Sequence, residues 1–164
     1  MTKVVLNSSV LIALSATGHL DKLGNVFEEP LVARAVYEEI CVKGHGLLGD
    51  VELSEAVKRG PVKVRGVKNR VTVNALVDPL GLGEAETIAL TVEENADYVV
   101  LDDRLARRRA KSLGLKVIGT LRVLRMMLQY GLMEKEELVE ALEKLGEIGF
   151  RISSEVVKEA LRDL

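Results

Sequence analysis

Two adjacent carboxylates, Asp102 and Asp103, directly follow the apolar run Tyr98-Val99-Val100-Leu101. Acids side by side repel unless a cation or an arginine neutralises them. Glu84 stands near the start of a second segment, 83–91, and Glu39 lies in a third, 33–42. Carboxylates brought to one place by separate elements form the donor set of a hard cation such as Mg²⁺ or Mn²⁺, which takes oxygen ligands and keeps several waters. Such a cation lowers the pKa of its water and stabilises charge developing at phosphorus. The chemistry these residues could do together is therefore metal-dependent phosphodiester hydrolysis. Taken singly, each has a plainer explanation. One aspartate can cap the next helix while the other is solvated. Glu84 suits the first turn of a helix through the helix dipole. Glu39 reads as an ordinary solvent-facing helix residue.

Cations follow the aspartates. Arg104, Arg107, Arg108, Arg109 and Lys111 run with no acid among them, and positions 104, 107, 108 and 111 share one helix face. Beside an acidic site they read as a grip on a phosphate backbone. The plainer alternative is a solvated basic face that balances the acidic C-terminal segments. Lys63, Arg65, Lys68 and Arg70 form a second cluster. His19 and His45 are expected at the surface and Cys41 in the core.

The elements that would position these groups alternate. Val4-Val5-Leu6 reads as a buried parallel strand ending at Asn7. Ser8 or Ser9 can cap the helix that follows, 10–16. Helical spacing continues through Leu20, Leu23 and Phe27, and Leu31-Val32 reads as a second strand. Helices at 33–42 and 53–57 precede a strand at 62–65, whose apolar and charged residues alternate. Residues 66–80 read as a loop with a short strand at 71–73. Helix 83–91, strand 98–101, helix 105–113, strand 116–118 and helices at 121–129, 134–146 and 154–163 complete the chain. The pattern predicts one domain over 1–164, of α/β class with a mainly parallel central sheet. Ligands of such a sheet gather at the carboxyl ends of its strands, where Asn7, Asp102-Asp103 and Gly119-Thr120 stand.

Composition narrows the partners. The chain has 164 residues, 48% hydrophobic and 29% charged, with a formal net charge of −2. That charge excludes bulk nucleic-acid binding and leaves only a local basic patch for RNA. No apolar run reaches the roughly 20 residues of a membrane-spanning helix, so no membrane partner is expected. The start lacks a secretory signal. The single cysteine forms no internal disulfide, so a cytoplasmic location is expected. One Cys and two distant His do not make a zinc motif. Aromatic residues are only 3%, with no Trp, which argues against base stacking on a sheet. Leu121, Leu124, Met126, Met127 and Leu128 give one helix more apolar surface than a core face needs, which suggests a homodimer.

Five stretches in order resemble the PIN-domain family, the nuclease fold of VapC-type toxins and of several RNA-processing ribonucleases. They are Val4 through Leu14; Val36-Tyr37-Glu38-Glu39-Ile40; Gly83-Glu84-Ala85-Glu86-Thr87-Ile88-Ala89-Leu90; Val100-Leu101-Asp102-Asp103-Arg104 with Arg107, Ala110 and Gly114; and Gly149-Phe150-Arg151-Ile152-Ser153. The resemblance implies a three-layer α/β/α fold and one or two Mg²⁺ or Mn²⁺ ions. It implies hydrolysis of RNA by a metal-activated water, with Glu39, Glu84, Asp102 and Asp103 catalytic. It further implies Asn7, Glu39, Glu84 and Asp103 as metal ligands, Ser9 and Thr120 in support, and RNA contacts from Arg104, Arg107, Arg108 and Lys111. An antitoxin protein and a second copy of the chain are the implied protein partners. Asn7 departs from the family, which has Asp there. An amide oxygen coordinates but lacks the carboxylate charge. A weakened module that binds RNA or protein without cutting is therefore the alternative. A phosphoryl-transfer receiver domain fits less well, since its acid pair follows the first strand and a Lys ends its last.

Overall fold

The computed structural model describes residues 2–150 and 154–162. Five strands form one parallel sheet in the order β3-β2-β1-β4-β5. They are β1 (Lys3–Leu6), β2 (Glu29–Ala33), β3 (Lys63–Arg65), β4 (Tyr98–Val100) and β5 (Val117–Ile118). The central strands are short apolar runs because both faces are covered: Val4, Val5, Leu6, Val99 and Val100 are wholly buried. The chain moves outward in one direction from β1 through β2 to β3, then returns to the other side of β1 for β4 and β5. The order thus reverses between β1 and β4, and the crevice at their carboxyl ends is where an open sheet places its ligand.

Helices flank the sheet on both faces, giving the α/β/α layering expected from the sequence. On one face α6 (Leu82–Glu93) lies against β1, β2 and β4, with α3 (Arg34–Tyr37) and α5 (Arg70–Leu76) packed against it. Elsewhere α1 (Ser8–Ala16) packs on α4 (Asp50–Arg59), α8 (Thr120–Gln129) and α9 (Lys135–Glu147). The short α2 (Leu23–Val26), α7 (Arg104–Ser112) and α10 (Ser154–Leu161) complete the helices. α3 runs on into a wider π turn, Glu38–Lys43, so the helix expected at 33–42 is really two geometries in series.

Several local expectations are corrected. The segment 71–73 is the middle of helix α5, not a strand: Asn69 caps it by accepting the Thr72 N–H at 3.2 Å. Neither Ser8 nor Ser9 is the cap of α1, because Asn7 holds the N-cap position. His19 is buried, not at the surface, with Nδ1 2.7 Å from Lys22 Nζ. Burial and the Lys22 ammonium both push its pKa down. Cys41 is half-buried against the core, and its thiol is pushed up by burial. The apolar side chains of α8 are used within the chain: Leu124 and Met127 are buried, and Leu121, Met126 and Leu128 pack on the core. Part of the surface that suggested a homodimer is thus used within the chain, and Leu121, Met126 and Leu128 stay partly exposed. Arg151, Ile152 and Ser153 of the closing motif lie outside the described residues.

Candidate active site

At the carboxyl ends of β1 and β4 lies an open pocket of about 230 Å³, lined by Asn7, Ser8, Ser9, Glu39, Gly81, Gly83, Glu84 and Asp103. Each acid arrives for a local reason. β1 ends at Leu6, and the Asn7 backbone N–H donates to the Val100 carbonyl at 3.1 Å, which ties this corner to β4. Asn7 itself is only 5% exposed. Asp103 is the N-cap of α7 and accepts the Ala106 N–H at 2.9 Å. The plain capping role and the pocket position thus belong to the same side chain. Glu84 sits in the first turn of α6, where its carboxylate reaches back to the Gly81 N–H at 3.4 Å. Glu39, in the π turn, accepts a hydrogen bond from Ser8 Oγ at 2.7 Å.

Gly83 makes room for this gathering. A Cβ there would stand 2.5 Å from Glu39 Oε1, so any larger residue would displace the Glu39 carboxylate from its place beside Glu84. A buried staple fixes the same pair of elements. Glu86, two residues beyond Glu84, is 5% exposed and accepts the Ala35 N–H at 3.0 Å in the first turn of α3. Its other oxygen takes Arg70 Nη2 at 3.0 Å.

The pocket acids are short of positive charge. Among the described residues none of Glu39, Glu84 and Asp103 makes an ion pair. Burial raises the Glu84 carboxyl above its ordinary value; the Gly81 N–H opposes this, and the Asp103 and Glu39 carboxylates raise it further. The Ser9 hydroxyl is buried and has no hydrogen-bond partner among the described residues. Mutually repelling carboxylates, a buried amide and an unmet hydroxyl fit a hydrated hard cation. Among the described residues no three acidic, histidine or cysteine side chains converge tightly enough to hold one ion by themselves. Fewer side chains would then ligate directly, with water completing the shell.

The remaining expected site residues lie elsewhere. Asp102 does not line the pocket. It accepts the Thr120 backbone N–H at 2.9 Å and the Thr120 hydroxyl at 2.6 Å, so the two are spent on each other. Arg107 donates to the Leu101 carbonyl at 2.7 Å instead of standing free on the basic face. Gly119 is hemmed in by both, since a Cβ there would meet Arg107 Nη1 and Asp102 Oδ1 at 3.0 Å. Arg104, Arg108 and Lys111 are exposed on α7. Ser8, Gly83 and Glu86 were not singled out as site residues from the sequence. Only the spacing Gly81-x-Gly83-Glu84 carried a signal, a backbone that must approach something closely.

The family model described as PIN domain matches residues 3–164. The chain belongs to the PIN-domain family. PIN domains are generally nucleases that act on RNA and typically use divalent metal ions. A search of curated proteins and a search of solved structures each return no significant match. Among the described residues no helix of this PIN domain is long and apolar enough to cross a membrane.

Proposed function

We propose that the chain, acting as one domain, is a Mg²⁺- or Mn²⁺-dependent endoribonuclease whose site is the pocket of Asn7, Glu39, Glu84 and Asp103. The observation that carries this reading is the meeting of three carboxylates from separate elements, none of them ion-paired among the described residues, at the switch point of a parallel sheet. Hydrolysis adds water across one P–O bond. A divalent ion held there would supply an acidified water and positive charge opposite the developing phosphorane. The chain's own contribution is to place its donors. Ser8 orients Glu39 through its hydrogen bond, and the Ala106 N–H fixes one oxygen of Asp103. Burial and the neighbouring Asp103 and Glu39 carboxylates favour the protonated form of Glu84, and a cation in the pocket would favour the ionised one.

Purified protein with Mn²⁺ should cleave RNA, EDTA should abolish the cleavage, and Asp103→Asn should remove at least about 99% of it. Cleavage that survives either treatment overturns the reading. A place as the toxin of a toxin–antitoxin pair is part of the same proposal. Its test is growth arrest on expression, relieved by the product of an adjoining gene.

Asn7 favours a second reading, a module that binds RNA or protein without cutting. An uncharged ligand at the buried heart of the pocket lowers the pull on a hard cation. Calorimetric titration with Mn²⁺ decides between them: the enzyme binds it and Asn7→Asp tightens it, whereas the module binds none.

A further inference from the structure

The arginines at the carboxyl edge of the sheet fall into two sets. Arg70 and Arg107 are committed within the chain, to Glu86 and to the Leu101 carbonyl. Arg34, Arg65, Arg104 and Arg108 are exposed, and among the described residues none makes an ion pair or a side-chain hydrogen bond. Their placement is not random. Arg65 ends β3, where it is the register partner of Ala33, and Arg34 is the next residue after Ala33. Arg34 lays its guanidinium over Gly66, whose Cβ, if it had one, would stand 3.5 Å from Nε. Two arginines are thus brought to one corner, and among the described residues neither is ion-paired: the nearby Glu86 is taken by the Ala35 N–H and Arg70, and Glu93 by the Lys68 and Asn69 N–H groups. Glu38, exposed and four residues along from Arg34, makes no ion pair with it. On the other side of the pocket Arg104 directly follows Asp103, and Arg108 lies one helical turn beyond it.

From this pattern we propose that the acid pocket sits in the middle of a two-sided phosphate track: Arg34 and Arg65 grip one RNA strand on one flank, and Arg104 and Arg108 grip it on the other. The inference rests on the ribonuclease reading and adds the β2–β3 flank to it. The strand order β3-β2-β1-β4 puts three interstrand spacings, about 14 Å, between the two flanks. A strand laid along the edge therefore crosses the acids between two cationic anchors. Anchoring on both sides holds the scissile phosphate over carboxylates that would otherwise repel it. Guanidinium groups that meet phosphates position the strand without reading its bases, so the grip is on the backbone.

The test is fluorescence anisotropy with a labelled single-stranded RNA of about ten nucleotides, in Mg²⁺, on an Asp103→Asn background that prevents cutting. Arg34→Ala with Arg65→Ala should weaken binding about tenfold or more near 0.1 M salt and lower the slope of log K against log[salt] by about 1.4. Arg104→Ala with Arg108→Ala should do the same. Lys58→Ala with Lys135→Ala, exposed cations away from this edge, should change neither. All these side chains are exposed, and unchanged thermal melts will confirm folding. If the Arg34 and Arg65 pair behaves like the Lys58 and Lys135 control, the two-sided track is wrong, whatever the cleavage assay shows. If cleavage persists with Asp103→Asn, the ribonuclease site is wrong, and the salt slopes still judge the track.

Discussion

Asp102 and Asp103 are neighbours in the chain and opposites in the fold. Asp102 is closed: the Thr120 N–H and hydroxyl occupy its two oxygens, and Arg107 lies close beside it at Gly119. Asp103 is open: it caps α7 with one oxygen and lines the pocket beside Glu84 and Glu39. The first locks the end of β4 to the start of α8. The second stands with two like charges and no counter-ion among the described residues. What separates them is hydrogen-bond accounting. An acid whose acceptors are satisfied by the chain holds the chain together; an acid whose neighbours are also acids is available to something from outside.

That contrast can be broken at its strongest point first. Asp103→Asn should cut RNA cleavage by at least about a hundredfold, while Asp102→Asn, which still offers an oxygen to the Thr120 N–H, should keep it within about tenfold. Equal losses would dissolve the distinction. Next comes Gly83→Ala. Alanine suits a helix, but its methyl must displace the Glu39 carboxylate. Cleavage should fall about tenfold or more while the melting temperature hardly moves, as misplacement of one ligand implies. A large drop in melting temperature instead would show that Gly83 serves packing.

Truncating the closed acid should have the reverse signature. Asp102→Ala leaves the buried Thr120 N–H and hydroxyl without their partner and should cost about 1–3 kcal/mol of stability. Mn²⁺ affinity, measured by calorimetry, should change by less than about twofold.

The smallest effect concerns pH. Glu84 binds its proton more tightly folded than unfolded, so its contribution to stability is fully present in acid. It is lost as pH rises from the ordinary carboxylate range through the raised folded value. Metal-free Glu84→Gln should therefore melt a little above wild type near neutral pH, and the gap should close toward about pH 4. Added Mn²⁺ should raise the wild type more than the variant. A variant less stable than wild type at neutral pH would mean that Glu84 is not crowded by charge.

The architecture was legible in the sequence because its signals are local and repeated. Short β-branched runs such as Val4-Val5-Leu6 and Tyr98-Val99-Val100, each followed by polar residues and a helical segment, read as buried strands. Asn7 and Asp103 stand at strand ends and were reachable by the same logic; Glu39 and Glu84 lie on helices and were singled out as ligands through the family's motifs. The division of labour between Asp102 and Asp103 was not, because it depends on Thr120, 18 residues away, arriving within hydrogen-bond reach. Arg107 looked free for the same reason; its partner is a backbone carbonyl, invisible in a list of side chains. The 71–73 segment misled because Val71 and Val73 favour strands intrinsically, while the Asn69 cap and packing on α6 decided for a helix.

The π turn at Glu38–Lys43 has one more consequence. Hydrogen bonds spanning five residues hold an extra residue compared with an α-helix between the same anchors. Whether Glu39 meets its partners is therefore a matter of chain length as well as of residue type. Deleting Glu38 would rewind the segment and swing the next carboxylate by about 100° around the helix axis, away from the pocket. A single-codon deletion that keeps Glu39, Glu84 and Asp103 in the sequence would thus silence the site as thoroughly as replacing one of them.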